Sequence, residues 1–288
     1  LEPAWHVFAL SGWFALTVLK GQSSCSSWRK TLPTAAFPVL WQCLPACCFW
    51  AGISDGTRRR GWRFKKAAAS VERLPLLICI FMGAQLIYSL FGNVLEFLLR
   101  LCGYTAMGQL NAASAQSTTV SMFLYTAVFA LWEKNSFTAG WSCGSFRSTG
   151  NVFAIVVSAA LFGVMHANLF QMIFAFLTGL VLGYTAAEFS LRWSIVLHLV
   201  NNLVFGELLG WLMGYLSPAA QDYLYRGINI FFFAFAAFWL LHHREQLGHY
   251  LQKNRCAKKC YAAAFTAVAM VTFFVGNFGL AISGIQKR

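Results

Sequence analysis

Long apolar runs with the charges gathered between them restrict this chain more than any other feature. Leu74 to Leu95 contains no Asp, Glu, Lys or Arg, and at about 1.5 Å per residue a helix of that length crosses a hydrocarbon core of about 30 Å. Within a bilayer the backbone must satisfy its own polar groups, which a helix does. Of the 288 residues 58% are hydrophobic and only 11% charged, a composition that excludes a soluble globular domain. The expected fold is all-α, a polytopic membrane protein of about eight transmembrane helices.

Further apolar runs cover Thr118–Trp132, Asn151–His166, Leu169–Ala187, Trp193–Leu216, Ile228–Leu241 and Tyr261–Ile282. Before Leu74 lie Trp5–Leu19 and the proline-interrupted Leu32–Ile53. Trp5–Leu19 has neither a basic leader nor a small-residue cleavage site, and so reads as a retained segment rather than a removable signal peptide. Three divisions follow: 1–73 with a basic loop, a membrane core over 74–242, and 243–288 with a second basic loop and a last span.

Arg58, Arg59, Arg60, Arg63, Lys65, Lys66 and Arg73 form the first basic loop, and Arg244, Lys253, Arg255, Lys258 and Lys259 the second. The net charge of +13 thus reads as a topology determinant on the cytoplasmic face and not as a nucleic-acid surface. Six runs separate the two loops, an even number that puts both on one side. Glu96 and Arg100, four residues apart, read as an ion pair ending a helix at the membrane interface. The nine cysteines include no CxxC pair and imply no disulfide framework. Cys256 and Cys260, near His242, His243 and His249, match no zinc spacing.

The informative polar residues lie in 151–206. His166 closes Phe162-Gly-Val-Met-His166 and His198 opens His198-Leu-Val-Asn-Asn202. Imidazole inside a membrane is costly and marks a functional site. The four-residue spacing puts Phe162 with His166, and His198 with Asn202, on shared helix faces.

These two motifs, FxxxH and HxxxN, with the Gly179–Tyr184 run GLVLGY between them and Trp193 ahead of the second, resemble the CPBP intramembrane proteases. That family includes CAAX prenyl endopeptidases and bacteriocin-processing and self-immunity proteins. The resemblance covers Thr118 to Gly206, the motif region of the membrane core. It implies hydrolysis of a membrane-embedded peptide or protein substrate in the bilayer by an activated water, in an integral protein of the bacterial cell membrane. It implies no nucleic-acid partner. Peptide hydrolysis needs a base for the water and donors for the oxyanion. Carried over from the family, Glu133 is the base, His166 its partner, and His198 with Asn202 the oxyanion donors. No cofactor is certain. Two histidines and a glutamate could also hold zinc with a water in the fourth position, here Glu133, His166 and His198, although no HExxH helix is present.

The family's first motif, EExxxR, is broken. Glu133 is followed by Lys134, and Thr138 stands where the arginine belongs. A lysine beside the glutamate favours the carboxylate form and weakens it as a base. Codons exist for Trp132 to Thr149 that, read from the third base, spell GKEFVYRGLVLRQLPEY, in which the two carboxylate positions can encode only Lys or Glu. Two compensating frame changes over Lys134 to about Thr149, in the gene or in its reading, account for the break. Two other readings keep the helices: a non-catalytic binding or immunity protein on this scaffold, and a transporter whose polar path holds His166, His198 and Asn202, against which stands the lack of an internal repeat. A purely structural role, histidines bonding between helices, also accommodates the pattern.

Overall fold

The structure is a computed structural model that describes residues 72–114 and 149–288. The chain divides into two compact units, Leu1–Arg63 and Phe64–Arg288, and all described residues belong to the second. Their elements are α1 (Leu74–Leu101), β1 (Tyr104–Thr105), α2 (Met107–Ser114), α3 (Asn151–Val164), α4 (Leu169–Glu188) and α5 (Leu191–Val200). A π-helical segment, Asn201–Leu208, leads into α6 (Leu209–Met213), followed by α7 (Pro218–His242), α8 (Arg244–Lys253), α9 (Lys258–Thr266), α10 (Val268–Ser283) and β2 (Gln286–Lys287).

Four of the described helices are long and apolar enough to cross a membrane: α1, α4, the continuous Leu191–Met213 rod, and α7. A fifth results if α9 and α10, bent by 62° at their junction, count as one broken span. The protein is therefore a helical, membrane-type protein in the residues described. The expected Thr118–Trp132 run and the two runs before Leu74 lie outside them. Exposed Leu90, Val94, Phe97 and Leu98 on α1, with Phe231, Phe238 and Leu241 on α7, form an apolar surface of the kind that a bilayer covers.

Several boundaries differ from the sequence reading. The Asn151–His166 run gives a helix of only 14 residues, short of a full crossing. The second basic loop contains a helix, α8, and Ile228–Leu241 is the back half of a helix that Pro218 starts from a Ser217 cap. Tyr261–Ile282 does not stay straight: Ala267 is extended, with ψ 132°, between α9 and α10.

The centre is a pile of Leu77, Phe81, Met82, Phe162, Ala175, Leu182 and Leu197, which joins α1, α3, α4 and α5. Small residues let the backbones approach. A methyl group on Gly163 would lie 2.8 Å from the Met172 carbonyl oxygen, and one on Gly179 3.1 Å from Ala159 Cα. These contacts lock α3 and α4 as an antiparallel hairpin. On the far side of α1, a methyl on Gly83 would fall 2.8 Å from Ala236 Cβ of α7.

Both ends of this bundle are tied by polar bonds. At one, Glu188 Oε1 accepts from Asn151 Nδ2 at 3.0 Å and from the Tyr250 hydroxyl at 2.8 Å. Arg73 lies over the Phe189 ring at the same end. At the other, Gln109 Nε2 donates to Ala281 O, its Oε1 accepts from Leu169 N–H, and its carbonyl accepts from Asn168 Nδ2. Gln286 and Lys287 pair antiparallel with Thr105 and Tyr104.

Candidate active site

The site is built around the Phe162 ring, two residues before the end of α3. His166, just past that helix, meets it edge-on with ring centroids 4.9 Å apart, and His198 of α5 does the same at 5.5 Å. The two imidazoles are therefore neighbours through one shared ring. A uniform zigzag of full-length spans places them near opposite surfaces, and the short α3 removes that difficulty. Asn151 and Glu188 are bonded at the entry end. From there Phe162 is ~16 Å down α3 and His198 ~12 Å down α5, at about 1.5 Å per residue.

The chain turns sharply beside His166. The His166 N–H donates to Gly163 O and the Ala167 N–H to Val164 O, while Ala167 takes φ +47°, the left-handed region that non-glycine residues rarely enter. Asn168 then caps α4, its Oδ1 accepting from the Phe170 and Gln171 N–H groups. His166 Nδ1 lies 2.7 Å from Phe162 O. A carbonyl can only accept, so Nδ1 carries the proton, and Nε2 is the acceptor nitrogen of the neutral ring.

His198 is 7% exposed, buried among apolar groups of the core. Beyond it the helix widens into the π segment, which begins at Asn201. π-helical turns of this kind concentrate at functional sites. Asn202 Oδ1 accepts from Asn201 Nδ2 at 2.8 Å, so Asn202 presents its NH2 group, a donor, to anything beyond. The i,i+4 reading of His198 and Asn202 assumed a regular α-helix, and in the structure the π segment begins between them, at Asn201. Two buried oxygens on the same rod, Ser194 Oγ and Asn201 Oδ1, have no hydrogen-bond partner among the described residues.

Glu133, Lys134 and the rest of the broken first motif lie outside the described residues. Among the described residues no group of three His, Cys, Asp or Glu side chains is placed to hold a metal ion, so a zinc site would depend on Glu133. The buried Glu96 does not replace it. Its carboxylate accepts from Arg100 Nε at 2.8 Å, the Thr105 hydroxyl at 2.7 Å and the Ala106 N–H at 3.0 Å. The expected Glu96–Arg100 ion pair is thus present, and it also closes the turn into α2.

Sequence reasoning missed Gln109, which ties the Asn168 turn to α10, and the clamp between Asn201 and Asn202. The Asn201-Asn202 doublet was a visible signal for the second. Gln109 sits in an unremarkable polar linker and gave none.

In a comparison with protein families, residues 115–204 match the family model described as Type II CAAX prenyl endopeptidase Rce1-like. No significant match was found to a curated protein or to a solved structure. The matched stretch holds Phe162, His166, His198 and Asn202 and also spans the broken motif. The chain is thus similar to the Rce1-like endopeptidases over residues 115–204, a match consistent with the CPBP intramembrane proteases.

Proposed function

We propose that this protein is an intramembrane endopeptidase that hydrolyses peptide bonds of membrane-associated protein or peptide substrates, in the manner of CAAX prenyl endopeptidases. The observation that carries the reading is the convergence of His166 and His198 on Phe162, with Asn202 on the next turn, inside the segment that fits the Rce1-like family. In this account Glu133 and His166 polarise a water for attack on the scissile carbonyl, with His166 Nε2 as the proton-handling atom. His198 and Asn202 donate hydrogen bonds to the oxyanion that develops, an interaction strengthened by the low dielectric of the site. The attacking water's proton passes to the base and then to the leaving amine.

The rest of the proposal concerns placement. About eight spans, the described ones plus those before residue 72 and between 115 and 148, set the protein in a cell membrane. The end that carries Arg73, Arg192, Arg244, Lys253 and Lys258 faces the cytoplasm. If a divalent metal such as zinc takes part, Glu133, His166 and His198 are its ligands, and it supplies an acidic bound water.

A second reading has one observation in its favour. Lys134 and Thr138 occupy the places of the second carboxylate and the arginine, so the chain as written has the scaffold of a binding or immunity protein without full hydrolytic equipment. The deciding experiment reconstitutes the full chain in lipid with a fluorogenic prenylated peptide. Cleavage that disappears in His198→Ala, with helicity and thermal unfolding unchanged, supports the peptidase. Absence of cleavage with retained peptide binding supports the second reading, and cleavage undiminished by His198→Ala removes the assigned site.

A further inference from the structure

We propose that Asn201 is a positioning residue that fixes which way round the Asn202 carboxamide points, so that Asn202 offers a donor and not an acceptor to the oxyanion. This rests on the peptidase reading, and it adds a residue that FxxxH and HxxxN do not contain.

The geometry is unusual for neighbours in sequence. On a regular α-helix adjacent side chains do not face each other, yet Asn201 Nδ2 reaches Asn202 Oδ1 at 2.8 Å. The pair stands at the start of the π segment, where the i→i+5 turn is wider than an α-turn. The π segment is therefore the device that allows two consecutive amides to join side by side.

A carboxamide is symmetric in shape but not in chemistry: one arm carries two donors, the other only accepts. The joined pair has two possible senses. In the observed one, Asn201 Oδ1 occupies the buried side, without a partner among the described residues. Turning both amides over would put the two N–H donors of Asn201 on that same buried side, where its oxygen finds no partner among the described residues. Orphaned buried N–H groups are rarer than under-satisfied carbonyl oxygens, so the observed sense is favoured. Its consequence is that Asn202 Oδ1 is occupied and Asn202 NH2 points onward. An oxyanion hole needs that sense, since an oxygen aimed at developing negative charge repels it.

Asn201→Asp reverses the instruction. A carboxylate only accepts, so it draws the Asn202 NH2 back and turns Oδ1 toward the substrate. Asn201→Leu, of similar size, removes the instruction without reversing it. In the full chain, Asn201→Asp lowers kcat for the prenylated peptide about a hundredfold, the cost of one lost oxyanion donor, with KM nearly unchanged. Asn201→Leu lowers it about tenfold. In an Asn202→Ala background neither change has further effect, because the amide to be oriented is gone. A purely structural Asn201 would instead lower kcat by the same factor in both backgrounds, and that result overturns the proposal, as does unchanged kcat in Asn201→Asp.

A second readout needs no turnover. With asparagine side chains labelled with 15N, Asn201→Asp shifts the Asn202 side-chain amide resonances and slows their hydrogen exchange. Unshifted resonances overturn the clamp whether or not the protein hydrolyses peptides. A shift in a chain that cleaves nothing leaves the clamp standing and counts against the peptidase reading.

Discussion

At the level of single residues, the site depends on side chains whose neighbours leave them one option. His166 has its Nδ1 on Phe162 O, and Asn168 supplies two bonds to the first turn of α4. Asn168→Ala is expected to cost about 1 kcal/mol and to loosen the turn that carries His166, whereas Asn168→Asp keeps the cap. Thermal unfolding in detergent measures both. Phe162 is held between the two imidazoles, so Phe162→Leu preserves most of the packed volume but removes the shared ring edge. Peptide cleavage in that variant should fall much further than unfolding temperature, a comparison that one assay of each kind makes.

The residues that were legible in the sequence are those whose spacing works on a plain α-helix. Phe162 with His166 obeys the four-residue rule and was readable in advance. Asn202 was found by its motif, but its relation to Asn201 depends on a π turn, which no hydrophobic periodicity announces. Gln109 was not legible because its partners, Asn168 with Leu169 and Ala281, come from two distant stretches of chain.

Among the elements, the α3–α4 hairpin is the piece that places His166 and the Phe162 ring that His198 of α5 meets. Its close approach predicts a contrast between glycines. Gly163→Val puts a side chain 2.8 Å from a backbone oxygen that cannot move away, and should lower stability and cleavage together. Gly108→Ala, in α2 with nothing within 4 Å of the new methyl, should be neutral or slightly stabilising, since alanine favours a helix by up to about 1 kcal/mol over glycine. Equal stability of the two variants in a denaturation series would contradict the hairpin packing described.

Apolar runs predicted the existence of α1, α4 and the Leu191–Met213 rod. They failed at ends and breaks. Hydrophobicity cannot tell a helix of 14 residues followed by a turn from one that crosses, and the apolar run from Tyr261 gives no sign of the bend at Ala267. The α8 helix is polar on much of its surface and was read as loop because its charges dominated.

For the whole molecule, the basic end is pinned by Glu188, which bonds both Asn151 of α3 and Tyr250 of α8. Burial first, and then the neighbouring Glu188 carboxylate that accepts its hydrogen bond, push the Tyr250 hydroxyl well above its ordinary range. A group whose pKa is raised by folding contributes stability that is complete below its unfolded value, about 10 for tyrosine. That contribution is lost as pH rises from there through the folded value. Unfolding followed from neutral to strongly alkaline pH should show this loss, and Tyr250→Phe should remove that portion of the pH dependence while lowering neutral-pH stability by about 1 kcal/mol for the missing hydrogen bond.

The central claim is that this scaffold hydrolyses peptide bonds with its histidine pair and a first-motif glutamate. The most direct measurement compares cleavage of a prenylated peptide by two full-length chains: the sequence as written, and one in which residues 134–149 are replaced by the phrase hidden in the shifted reading frame, with glutamates in both carboxylate positions. The account predicts that the repaired chain cleaves faster than the written one and that His198→Ala abolishes the gain. A repaired chain that binds the peptide but never cleaves it, or whose cleavage persists without His198, would contradict it.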